Sequence, residues 1–181
     1  MPGRTPREAV GAFIDPLKDS LSCIARAKIT LSHDGWGSVG TINGLTLNND
    51  QPVQLTCQPR LLLRISMLYE IIRTDDPARG PWRVSTRAYA YELQTSDREL
   101  VWSYHWHPQS RVGNPHAHIG HTQLAEHSVL SHKAHYPTGR VSLESVIRTC
   151  ITEYGVQPLD PEWDKTLALR EGDFEIYRSW S

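Results

Sequence analysis

The tightest constraint on this fold is a period of two. Residues 61–72 read LLLRISMLYEII, in which Leu63, Ile65, Met67, Tyr69 and Ile71 alternate with Arg64, Ser66, Leu68 and Glu70. Successive side chains of a strand point to opposite faces, so the pattern predicts a strand with one buried face. A helix is the competing reading of so apolar a run. Two further strand-like runs follow, WRVSTRAYAYELQ and ELVWSYHW, joined by TSDR. So short a connection makes antiparallel hairpin pairing the default.

Helical signals flank these runs. Thr5-Pro6-Arg7-Glu8 offers a capping hydroxyl, a proline at the first helical position and an acid three residues after the cap. Asp15-Pro16 repeats the signal and predicts a break or restart, because proline disfavours helix at the residue before it. Beyond it Leu17, Leu21, Ile24 and Ala25 recur at helical spacing. Residues 33–50, HDGWGSVGTINGLTLNND, read as turns with short strands and a hairpin through Asn43-Gly44. TDDPARGP is a loop, with turn-formers at Asp76-Pro77 and Gly80-Pro81. Ser142 is the expected cap of a helix whose apolar face is Leu143, Val146, Ile147, Cys150, Ile151 and Tyr154, with Gly155 as its stop. The tail is expected to pack back through Trp163, Leu167, Phe174 and Trp180. This order predicts one α+β domain over residues 1–181, an antiparallel sheet with helices packed mainly on one face. Its parts are an N-terminal helical and hairpin extension (1–60), a sheet-plus-helix body (61–155) and a C-terminal tail (156–181).

A chain of 181 residues, 39% hydrophobic and 22% charged, supports one ordinary core. Its formal net charge of -1 argues against a basic surface over the whole molecule and leaves room only for a local cationic patch. Cys23, Cys57 and Cys150 are isolated and odd in number, which favours reduced buried thiols over a disulfide framework. The N-terminal residues lack the apolar run of a signal peptide, and no stretch approaches the roughly 20 apolar residues of a membrane helix. The expected location is cytoplasmic, with no membrane partner.

The chemistry concentrates between His105 and Arg140. Eight of the nine histidines are there: His105, His107, His116, His118, His121, His127, His132 and His135. Arg111, Lys133 and Arg140 face a single acid, Glu126. In LVWSYHW, alternation sends Leu100, Trp102, Tyr104 and Trp106 toward a core and leaves His105 and His107 on the open face. PHAHIG repeats the device with His116 and His118. If these two strands pair, four imidazoles converge on one patch. A helix cannot do this, since positions i and i+2 diverge by about 200°.

Three readings of the histidines compete. The first is a metal site, with zinc as the natural ion and His105, His107, His116 and His118 as ligands. The second needs no metal. Paired histidines would exchange protons with a ribose 2′-hydroxyl and a leaving oxygen, and Arg111, Lys133 or Arg140 would stabilise the phosphorane. The third makes them polar fillers of a surface, which suits His121, His127 and His132 best. Arg140, just ahead of the Ser142 helix, suits an anion held at the helix N-terminus; a solvated turn arginine is its other reading. Tyr89 and Tyr91 share a strand face and would flank the site or stack on a base, or serve as half-buried sheet residues.

Residues 89 to about 154 resemble the TumE-like toxins of bacterial toxin–antitoxin pairs. The shared features are Tyr89-Ala90-Tyr91, a strand ending near Tyr104, His116-Ala117-His118-Ile119-Gly120 and the helix start Ser142-Leu143-Glu144. In the family an Asp-Asn pair follows the strand that ends in tyrosine; here His105-Trp106-His107-Pro108 follows. The resemblance implies a growth-inhibiting protein neutralised by a cognate antitoxin protein, with ribonuclease action as its mechanism.

Together these observations lead to a toxin-like protein acting on RNA without a cofactor. His116 and His118 are the expected acid–base pair, assisted by His105 or His107, with Arg140, Arg111, Tyr91 and His135 binding substrate. Zinc held by the same His-x-His pairs is the alternative. A non-catalytic subunit of a toxin–antitoxin or defence complex, with an interface around Phe174, Tyr177 and Trp180, is a third.

Overall fold

The computed structural model describes residues 2–74 and 80–177, with side chains described as far as Gly172. The elements in chain order are β1 (Pro2–Gly3), α1 (Pro6–Ser22), β2 (Ile29–Leu31), β3 (Ile42–Leu47), β4 (Val53–Gln54), β5 (Leu61–Arg73) and β6 (Trp82–Thr95). They continue with β7 (Leu100–Trp106), β8 (His116–Ile119), a short 3-10 turn (His121–Gln123), β9 (Tyr136–Pro137), α2 (Leu143–Tyr154) and α3 (Trp163–Tyr177). The strands form one antiparallel sheet in the order β2-β3-β5-β6-β7-β8-β9, with β1 beside β6 and β4 beside β5. The fold class is therefore α+β, as the alternation predicts.

The period of two decides which face is covered. Leu63, Ile65, Met67, Tyr69 and Ile71 of β5 are all buried, as are Tyr89, Tyr91 and Leu93 of β6. They pack against Ile14 and Leu17 of α1, Val146 and Ile147 of α2, and Leu167 of α3. Because β1 to β4 hydrogen-bond into the same sheet and α1 fills the same core, the first 60 residues are integral to the fold. The opposite face carries Arg64, Glu92 and the exposed Leu68, and His105, His116 and His118 lie on it.

Helix ends follow their caps. Thr5 Oγ1 accepts the Glu8 amide at 3.2 Å, and Glu8 Oε2 accepts the Arg4 amide at 2.9 Å. Ser142 Oγ accepts the Ser145 amide at 3.0 Å, and Gly155 closes α2 in the left-handed region at φ 64°. Two local expectations are corrected. No break occurs at Asp15-Pro16, since α1 runs through Pro16; burial of Phe13, Ile14, Leu17 and Leu21 on both sides of it outweighs one lost backbone bond. Asn43-Gly44 is not a turn but lies within β3. Asn43 is buried and donates to the Ser38 and Thr41 carbonyls, and the tight turn comes later, at Asn48, Asn49 and Asp50, all with positive φ. Trp163 and Leu167 pack back as expected. The side chains of Phe174 and Tyr177, Trp180, and the turn at Asp76-Pro77 lie outside the described residues.

Candidate metal centre

Strand pairing builds the site. In the β7–β8 ladder His105 is directly opposite His116, and Ser103 is opposite His118. Directly opposed residues share a face, so one His-x-His pair and one member of the other converge. On the β6 side His105 faces Ala90, whose methyl group leaves space for the ring. One ring nitrogen from each of His105, His116 and His118 lies within 4.8 Å of the other two. A tetrahedral zinc with nitrogens at about 2.0–2.1 Å needs them about 3.4 Å apart, so side-chain closure by about 1.5 Å suffices.

The surrounding hydrogen bonds suit ligation. His116 Nδ1 contacts the Asn114 carbonyl oxygen at 2.8 Å. A carbonyl has no proton to give, so Nδ1 carries the hydrogen and Nε2 keeps a free lone pair. The backbone of His132 and Ala134 lies beside the His118 ring. His105 Nε2 is buried with no hydrogen-bond partner. An unpaired buried polar atom is costly, and a bound cation is one group that would satisfy it. His135 adds a fourth ring, 4.7 Å from His116 and 4.6 Å from His118 between centroids, on the exposed side.

Burial and the neighbouring imidazoles lower the pKa of His105 and of His118. Burial, then the neighbouring His118, His107, His116 and His135, push the His105 pKa down to about 4. Burial first, then His116 and His135, also lowers His118, against the pull of the adjacent backbone of Ala134 and His132. A lowered folded-state pKa means the unfolded chain binds more protons between the two values, so stability is lost as pH falls. For His105 the window runs from the unfolded value near 6.5 to about 4. After discounting for solvent screening, the metal-free protein is expected to melt about 2–4 °C lower at pH 5 than at pH 7. The His105→Gln variant is expected to show a shallower slope; an unchanged slope would exclude His105 as its source.

Several expected site residues are elsewhere. His107 follows the end of β7 at Trp106 and leaves the pleat; its ring is 5.6 Å from that of His105, and it is outside the three-nitrogen group. It instead lines a groove of about 520 Å³ with Leu68, Arg87, Trp106 and Pro108. Tyr91 is corrected from a substrate contact to a core residue, buried and stacked on Tyr89 at 4.8 Å on the helix-covered face. Arg140 stacks on an aromatic ring. Its guanidinium lies 3.7 Å from the ring centroid of Trp106, which alternation sends to the face opposite His105. Tyr89 Oη accepts the Val141 amide at 2.9 Å and helps hold that segment. Arg111 is exposed in the loop between β7 and β8.

His135 was expected only as a substrate contact, and its inclusion in the cluster had a weak signal. It precedes β9, a two-residue strand that pairs with β8 at Ala117 and His116, too short for alternation to reveal. The contact between His121 and His132, with ring centroids 4.8 Å apart, had none, since the residues belong to an irregular loop. No helix among the described residues is long and apolar enough to cross a membrane. No protein-family model, curated protein or solved structure matches this chain.

Proposed function

We propose that this chain is a metal-dependent hydrolytic enzyme whose ion is held by His105, His116 and His118. The convergence of three ring nitrogens within 4.8 Å of one another carries the reading. Imidazole nitrogens without thiolates or carboxylates suit zinc and its neighbours rather than magnesium or calcium. Three protein ligands with one solvent-facing side match the pattern of catalytic zinc sites, whereas structural sites are closed by four. When bound, such an ion lowers the pKa of a coordinated water toward 7 and polarises a scissile ester. The chain's own groups do the rest. His116 is oriented by its bond to the Asn114 carbonyl and His118 by the adjacent backbone of His132 and Ala134, the groove beside His107 gives a substrate room, and exposed His135 would pass protons to solvent.

RNA is the substrate class to assay first, because residues 89–154 resemble the TumE-like toxins; a cognate antitoxin protein is the partner that the resemblance implies. The metal-free reading, with His116 and His118 as acid and base, ranks second. Their ring centroids are 4.9 Å apart, but that chemistry needs one of them protonated among crowded, half-buried imidazoles. Metal analysis of the purified chain and RNA cleavage with and without chelator separate the two. Cleavage that stops on chelation and returns with zinc supports the metal enzyme; cleavage indifferent to chelator sinks it. His135→Ala is expected to keep the ion and lose about 100-fold in turnover, the usual scale for one proton-transfer group. Loss of the ion in that variant would make His135 a ligand instead.

A further inference from the structure

The loop between β8 and β9 poses a separate question. Residues 120–135 contain one 3-10 turn and otherwise irregular backbone. Connections of this length without regular structure are uncommon unless functional or disordered. Apolar burial contributes little to this one: Val129 is 100% exposed and Leu130 46%. Beyond Gly120, whose amide bonds to the Val101 carbonyl, its backbone hydrogen bonds are local turns, such as Leu124 to His121 and Ala134 to Ser131. Yet His121 and His132, eleven residues apart in sequence, bring their rings to 4.8 Å at an interplanar angle of 86°. That separation is the same as in the neighbouring centre, where His116 and His118 are 4.9 Å apart. Both imidazoles line one hollow of about 500 Å³, and Glu126, the only acid from His105 to Arg140, lines it with them.

We infer that this hollow is a second cation site, taking an ion of the zinc class on His121, His132 and Glu126. Two imidazoles and a carboxylate are an established zinc donor set, and the carboxylate offsets part of the ion's charge. Among the described residues only His105, His116 and His118 already bring three ligand atoms together; here two rings meet and Glu126 lines the same hollow, so a bound ion would have to draw the carboxylate in. The site would clip the two ends of the loop together, shortening the flexible span as any cross-link does. It also bears on the first centre. The backbone of His132 and Ala134 lies beside the His118 ring, so the clip would steady one wall of the three-imidazole site.

The test uses the full chain, stripped with chelator and titrated with zinc alone, with bound metal counted by mass spectrometry. The wild type is expected to bind two ions. His132→Ala and His116→Ala are each expected to bind one, and Glu126→Gln to weaken one site about 10-fold while leaving the other unchanged. A protease that cuts within residues 122–131 should be slowed by zinc in His116→Ala but not in His132→Ala. A single wild-type ion that survives His132→Ala overturns the second site and leaves the first intact. A single ion that survives His116→Ala and is lost in His132→Ala supports the second site and removes the first.

Discussion

Replacing His116 by alanine is expected to weaken zinc binding at the three-imidazole centre about 1,000-fold, an affinity loss of about 4 kcal/mol. Three features make the effect large. His116 is buried at 5% exposure, and its tautomer is set by the Asn114 carbonyl. It also stands directly across the ladder from His105, so its loss leaves two ligands where three converge. The metal-free fold should change little, because the ring borders other imidazoles rather than the apolar core. Zinc titration of the stripped protein followed by a competing chromophoric chelator measures this. An affinity within about threefold of wild type would remove His116 from the coordination sphere. Under the metal-enzyme reading, RNA cleavage falls with the ion and excess zinc restores part of it.

Gly120→Ala is the second large effect, and it acts on stability. The Gly120 amide donates to the Val101 carbonyl at 2.9 Å. A Cβ placed there would overlap the Leu100 carbonyl oxygen. The obstructing atom belongs to the backbone of β7, so no side chain can rotate away. Relief requires β8 to shift from β7, and β8 carries His116 and His118. We expect a loss of about 3 kcal/mol, about 6–12 °C in melting temperature for a chain of this size, together with weaker metal binding. Thermal unfolding with and without zinc reads both. A variant that melts within about 1 °C of wild type would show that the strands tolerate the extra methyl. Gly11, which has nothing within 4 Å of its would-be Cβ, is the matched control: Gly11→Ala is expected to be neutral or slightly stabilising.

Much of this architecture was legible because its signals are local. Alternation over Leu61–Arg73 defined both the strand and its buried face, and the same rule placed His105, His116 and His118 on the opposite side. The caps at Thr5 and Ser142 and the stop at Gly155 were readable from a few residues each. What could not be read depends on tertiary partners. Pro16 remains within α1 because the apolar residues around it are buried against the sheet, a gain that no local signal contains. Asn43-Gly44 resembles a hairpin turn, but a buried side-chain amide bonded to two carbonyls makes it part of a strand. Arg140 was placed by nearness in sequence to a helix start, and its contact with Trp106 depends on which face the end of β7 presents. His135 joins the cluster only because a two-residue strand pairs with β8.

Resemblance and geometry lead in different directions on chemistry. The likeness to the TumE-like toxins implies ribonuclease action, and the His-x-His spacing offered an acid–base histidine pair as one way to perform it. The crowding and burial of these imidazoles favour a cation over a proton as the group they share. Both readings use His116 and His118, so loss of activity on mutation cannot separate them; the coordination sphere can.

X-ray absorption at the zinc edge of the zinc-loaded His132→Ala variant examines that sphere directly, with any ion in the neighbouring loop removed. Three imidazole nitrogens at about 2.0–2.1 Å are expected, with the multiple-scattering pattern of histidine rings, and that pattern is expected to be lost when His116→Ala is added. A spectrum with no imidazole scattering, or one unchanged by loss of His116, would contradict the three-imidazole centre.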